Sequence, residues 1–118
     1  MHEVSVVRTL LAQVGQIVDQ HNATKATGIE LEIGPLSGVE VELVRIAFAD
    51  LVEGTRFAGA TLSIQQVPLA IECLECGCES NLPKFVFRCV QCDSGRVQVI
   101  RGDELRLLSV TVEDPVHV

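Results

Sequence analysis

Two C-x2-C pairs constrain this chain more than any other feature. Cys73 and Cys76 form one pair, Cys89 and Cys92 the other, and twelve residues separate them. Two residues between cysteines let a tight turn aim both sulfurs at one point while turn amides donate to the thiolates. Gly77 and Gly95, just past each pair, are expected to supply the permissive backbone of each knuckle. Four thiolates at tetrahedral geometry suit zinc and close its coordination sphere, so the site is expected to be structural. Iron fits the same four sulfurs, and spacing alone does not separate the two metals, though zinc is favoured. A redox dithiol would call for one C-x-x-C in a thioredoxin-like setting, which is absent.

A module of about thirty residues cannot bury enough apolar surface to fold alone, so metal binding is expected to supply its folding free energy. Its short strands are expected in "FVFR" and "RVQVI". Cys78, one residue beyond Gly77, is the fifth cysteine. A free thiol on a knuckle is the preferred reading of it, ahead of a spare ligand. All five cysteines fall between 73 and 92, in a chain whose start lacks the basic and apolar regions of a secretory signal. That clustering reads as metal ligation in the cytoplasm, not as disulfides.

The remaining chain alternates helix and strand. Val4, Val7, Leu11, Val14 and Val18, with Leu10 and Ile17 beside them, have helical spacing, and Arg8, Gln13, Gln16 and Asp19 occupy other faces. "TGIELEIGPL" sets Ile29, Leu31 and Ile33 against Glu30 and Glu32, a half-buried strand with a polar outer face. Ser37 and Glu40 make a capping box for a second helix, with Val39, Leu43, Ile46, Ala47 and Leu51 as its buried stripe. "ATLSIQQV" reads as a strand ended by Pro68, and "DELRLLSVTVED" as a last strand with Leu108, Val110 and Val112 on one face. The fold class is therefore α+β: a small sheet with two helices in α-β-α-β order and a zinc-ribbon module inserted before the last strand. Residues 1–69 plus 103–118 are expected to form the α+β domain and residues 70–102 the ribbon.

Charge narrows the function. The chain carries -7, yet residues 70–102 hold four acids and four bases, leaving twelve acids and five bases elsewhere. An acidic body with a neutral ribbon disfavours a phosphate-tracking protein. Aromatic residues are 3% of the chain, four Phe and no Trp or Tyr, too few for a base-stacking surface. No stretch approaches the roughly 20 apolar residues of a membrane span. Without a phosphate loop, a nucleophile elbow or an H-E-x-x-H, an enzyme is not expected.

The chain opens "MHE". Methionine before a residue as bulky as His is expected to be retained. The Met1 amine, the His2 amide nitrogen and the His2 imidazole then form fused chelate rings, and the Glu3 amide or carboxylate could add a ligand. Nitrogen ligands held in a plane favour Ni(II) or Cu(II) over tetrahedral zinc. Read alone, a histidine at position 2 is usually an accident, and Glu3 fits equally well as a first-turn acid complementing the helix dipole. His21, near a helix end, reads as structural, and His117 lies in the C-terminal tail.

"MHE" at 1–3, "LEIGPLSGVE" at 31–40, "FADLVEGT" at 48–55, the paired knuckles, and "GDELRLLSVTVED" at 102–114 together resemble the HypA/HybF family, along essentially the entire chain. That resemblance implies a nickel metallochaperone for nickel–iron hydrogenase maturation. It implies nickel at His2, assisted by Met1 and Glu3, and structural zinc at Cys73, Cys76, Cys89 and Cys92. It further implies work with the nickel GTPase HypB on the hydrogenase large-subunit precursor, and with urease accessory proteins in some organisms, without nucleic acid or membrane. Cys78 is extra to the family pattern, and no histidine lies within the ribbon. Two other readings stand beside it: a nucleic-acid-binding zinc ribbon, and a zinc-stabilised interaction domain in which "MHE" is incidental.

Overall fold

The structure, a computed structural model, describes residues 2–82 and 84–113. Met1 and His117, both singled out above, lie outside the described residues. The element order is α1 (His2–Gln20), β1 (Lys25–Ile33), α2 (Val41–Val52), β2 (Thr61–Gln66), β3 (Leu69–Cys73), β4 (Glu79–Leu82), β5 (Val97–Arg101) and β6 (Leu105–Glu113). The strands form two three-stranded sheets, ordered β2-β1-β6 and β4-β3-β5. The chain divides into two compact units, residues 1–31, 39–65 and 106–118 in one and residues 32–38 and 66–105 in the other.

The first unit holds both helices. α1 buries Val7, Leu10, Leu11, Val14 and Val18, each contributing roughly 1.5–3 kcal/mol by leaving water. Arg8, Gln13, Gln16 and Asp19 are exposed, as their helical positions require. α2 packs on α1, and of the expected stripe only Ala47 is fully buried. Val44, Ala47, Phe48 and Val52 are buried, whereas Ile46 is 56% exposed and Leu43 and Leu51 are half-buried. Nor does the expected capping box form. Ser37 N–H donates to the Gly34 carbonyl at 3.1 Å in a preceding turn, and α2 starts at Val41 with Glu40 as its N-cap residue. Positions 44, 47, 48 and 52 follow helical spacing along one face, which leaves Ile46 on the outer side.

β1 buries Ile29, Leu31 and Ile33 as alternation demands, but Glu32 is buried too, at 3% exposure. Its partner is Arg101, whose guanidinium donates to Glu32 Oε1 at 2.7 and 3.2 Å. A carboxylate can be buried here because two charge-assisted hydrogen bonds accompany it. β6 also departs from expectation. Val110 and Val112 are half-buried, Leu108 is exposed, and Leu105 and Leu107 turn inward earlier in the strand.

In the second unit β3 is the central strand, antiparallel to both neighbours. Ile71 lies opposite Ser80 of β4 and Val99 of β5. Leu69, Ile71 and Leu82 form its core, with Val97 and Val99 packed against them. The ribbon strands thus include the expected "RVQVI" but not "FVFR". Over that stretch Val86 N–H donates to the Lys84 carbonyl at 2.8 Å and Arg88 N–H to the Val86 carbonyl at 3.0 Å. These two-residue turns take the place of a strand ladder. The segment 32–38 is fastened to the same unit: Gly34 N–H donates to the Glu104 carbonyl at 3.3 Å and Leu36 N–H to the Gly102 carbonyl at 2.9 Å. A Cβ on Gly34 would overlap the Gly102 backbone, so the crossing needs glycine at 34.

Candidate metal centres

The two cysteine pairs sit in turns of one construction. Gly77 N–H donates to the Cys73 carbonyl at 3.0 Å and Cys73 N–H to the Cys78 carbonyl at 2.9 Å. In the second turn Asp93 N–H donates to the Cys89 carbonyl at 3.0 Å and Cys89 N–H to the Ser94 carbonyl at 2.9 Å. Each turn closes through one residue of left-handed backbone, Gly77 (φ 77) and Asp93 (φ 62). Gly95 is not such a residue, so the expectation that it permits the second knuckle is corrected: Asp93 does so, because a short polar side chain tolerates this region. Cys78 occupies the place that Ser94 holds in the other turn. Its thiol donates to the Glu79 carbonyl at 3.6 Å, and the knuckle uses its main-chain carbonyl.

The turns aim four sulfurs at one point. The Sγ atoms of Cys73, Cys76, Cys89 and Cys92 all lie within 4.8 Å of one another, and none of the five cysteines is in a disulfide. Cys73 and Cys92 stand 3.6 Å apart, Cys76 and Cys89 3.5 Å. A metal held at about 2.3 Å by four sulfurs in a tetrahedron would set them about 3.8 Å apart. The array is thus close to metal-binding geometry, and a donor set of four thiolates fits a soft or borderline dication.

Main-chain amides prepare half of this set. Glu75 and Cys76 N–H groups donate to Cys73 Sγ, and Gln91 and Cys92 N–H groups to Cys89 Sγ, all at 3.4 Å. The Cys92 and Gln91 amides hold Cys89 down at about 6, and the Cys76 amide, followed by that of Glu75, lowers Cys73 against burial. The second cysteine of each pair behaves oppositely. For Cys76 the Cys78 amide works downward, but its hydrogen bond with Cys89 and burial prevail and lift it to about 12. Cys92 is likewise raised, by its bond with Cys73 and by burial, against the Ser94 amide. Each sulfur pair therefore contains one favoured thiolate and one thiol, two protons that a dication would displace.

The family description that matches residues 1–112 is "Hydrogenase/urease nickel incorporation, metallochaperone, hypA". The chain belongs to the HypA family. It is 41% identical over 110 residues to hydrogenase maturation factor HypA of Nitrosospira multiformis, covering 93% of this chain and 96% of that one. The corresponding factor of Chlorobaculum parvum is 36% identical over 113 residues, with 96% and 100% covered. The solution structure of the Ni metallochaperone HypA from Helicobacter pylori superposes with a TM-score of 0.74 at 27% identity, covering 96% of this chain and 98% of that chain. That structure shares the mixed α+β fold of this HypA-family chain, and the clustered cysteines fit the zinc-ribbon module expected before β6.

At the other candidate centre, neighbouring side chains part company. His2 is exposed in the first turn of α1. Glu3 is 8% exposed, and its Oε2 accepts the Glu40 N–H at 3.2 Å, where α2 begins. Glu40 supplies no side-chain cap of its own, so the Glu3 carboxylate serves a donor at a helix start where negative charge is favourable. His21 is satisfied locally, its Nδ1 lying 2.9 Å from the Ile17 carbonyl at the end of α1, as a structural reading requires. Among the described residues, no helix is long and apolar enough to cross a membrane.

Proposed function

We propose that this HypA-family chain carries Ni(II) at its N-terminus and delivers it during maturation of nickel–iron hydrogenase, in the cytoplasm, with urease a second client in some settings. Met1 offers the terminal amine, and His2 offers an amide and the imidazole. The Glu3 carboxylate is engaged with Glu40, so the ligand Glu3 most readily adds is its amide nitrogen. The exposed imidazole on the first turn of α1 carries this reading, because it leaves a planar nitrogen set open to exchange. The partners are the nickel GTPase HypB, which works with the chain in loading or release, and the hydrogenase large-subunit precursor, which receives the metal.

Cys73, Cys76, Cys89 and Cys92 would hold a resident Zn(II), whose chemistry there is structural: it neutralises clustered thiolates and ties the two turns together. The ribbon and the α+β unit then divide the labour, one keeping its metal and the other exchanging it. The N-terminal division, residues 1–69 plus 103–118, carries the cargo; residues 70–102 carry the zinc. A nucleic-acid partner is disfavoured by the neutral ribbon and the acidic body. His2→Ala tests the assignment. Tight nickel binding should be lost while folding and zinc content stay unchanged. Undiminished nickel binding by this variant would place the cargo site elsewhere.

A further inference from the structure

From Lys84 to Val90 the sequence reads "KFVFRCV", two cations and no acid within a chain of net charge -7. This loop has the most conspicuous apolar exposure of the second unit. Phe85 is 59% exposed, Val86 58%, Phe87 42% and Val90 66%. Scattered exposed apolar residues are ordinary, but three consecutive large ones are not. The backbone explains how they stay outside: the two-residue turns at 84–86 and 86–88 prevent the alternation that would hide every second side chain.

Two of these residues, Val86 and Val90, line a groove of about 380 Å³ together with Leu82 and Cys89, and Lys84, Arg88, Gln91 and Asp93 supply its polar groups. Among the described residues Lys84 has no ion-pair partner, unlike Arg88, which meets Asp93 at 3.3 Å with both side chains mostly exposed. A concave apolar surface with an unpaired cation beside it fits one chemistry: an apolar side chain flanked by carboxylates.

We infer that the 84–90 loop and its groove dock a protein segment carrying apolar anchors between acidic residues, a surface independent of the nickel centre. The anchor would fill the space between Val86 and Val90 while its neighbouring carboxylates pair with Lys84 and Arg88. Phe85 and Phe87, exposed on the same loop, would add apolar contact beside the groove, as aromatic residues do at interfaces. An anionic lipid surface has the same charge at its headgroups but presents no side chain to seat in a groove between Val86 and Val90.

The test follows the amide resonances of the full-length, zinc-loaded chain during titration with a short synthetic peptide of alternating leucine and glutamate. A counterpart with lysine in place of glutamate serves as control. Saturable shifts confined to residues around 84–90, seen with the acidic peptide alone, are expected. Phe85→Ser and, separately, Lys84→Glu should each weaken binding by about tenfold with zinc content unchanged. Absence of saturable shifts, equal response to both peptides, or indifference to Phe85→Ser would overturn the inference. So would an association between copies of the chain that Phe85→Ser dissolves, or sedimentation with phosphatidylserine vesicles. Those outcomes would assign the loop to a second copy or to lipid.

Discussion

The cysteine array and the N-terminal turn offer metals opposite terms. Around the array, four sulfurs lie within 4.8 Å of one another, and two of them each accept two main-chain N–H groups. Everything that orients the donors is built into the turns. At the N-terminus, the exposed His2 imidazole stands beside a carboxylate already occupied by Glu40. One region would surround an ion with fixed donors; the other would present few, on the surface. On these terms one small chain would retain one metal and surrender another: a closed donor set exchanges slowly, whereas an open one accepts an incoming ligand.

The largest effect expected is that of Cys73→Ser. Removing a central thiolate, whose residue also ends β3, should eliminate stoichiometric zinc and disorder the ribbon, because structural zinc supplies on the order of 10 kcal/mol to such modules. Metal analysis and the amide spectrum read both. Full zinc content in the variant would contradict a site that depends on all four thiolates.

Acidification should separate the regions more gently. At neutral pH, Cys89 near 6 and the lowered Cys73 are the favoured thiolates, while Cys76 near 12 and the raised Cys92 keep their protons. Zinc uptake should then release the protons of Cys76 and Cys92, and one more as pH falls through about 6, where Cys89 becomes protonated. Zinc affinity accordingly falls as pH falls, more steeply below about 6. Calorimetry in buffers of different ionisation enthalpy measures the release, and a pH-independent affinity would contradict the thiolate pattern.

A smaller effect belongs to Glu3→Gln. The amide oxygen can still accept from Glu40 N–H but loses the charge assistance, so thermal stability should drop by about 1 kcal/mol. Nickel affinity should change little if Glu3 ligates through its backbone. A large loss of nickel binding at unchanged stability would show that the carboxylate is itself a ligand.

Much of this was legible in the sequence where the governing contacts are local. The stripe of α1 follows from spacing, and Ile29, Leu31 and Ile33 follow from alternation. The convergence of the cysteines follows from two short turns. What escaped was set by distant partners. Glu32 reads as a solvent-facing acid until Arg101, far along the chain, covers it. "FVFR" has strong strand propensity, but propensity expresses a half-buried sheet surface, and the central strand β3 pairs with "ESNL" at 79–82. Ser37 and Glu40 have the right spacing for a cap, yet the turn at Gly34 claims Ser37 first. Asp93, and not a glycine, closes the second knuckle, and only the backbone angle reveals it. The acceptor role of Glu3 was likewise invisible, because Glu40 lies thirty-seven positions away.

The division between a retained and an exchanged metal stands most directly on a nickel titration of the untagged, zinc-loaded chain, repeated with the N-terminal amine acetylated. Acetylation is expected to abolish the tight nickel site while zinc remains at one per chain. Equal nickel affinity with and without the free amine would contradict it and move the cargo ligands away from the first turn of α1.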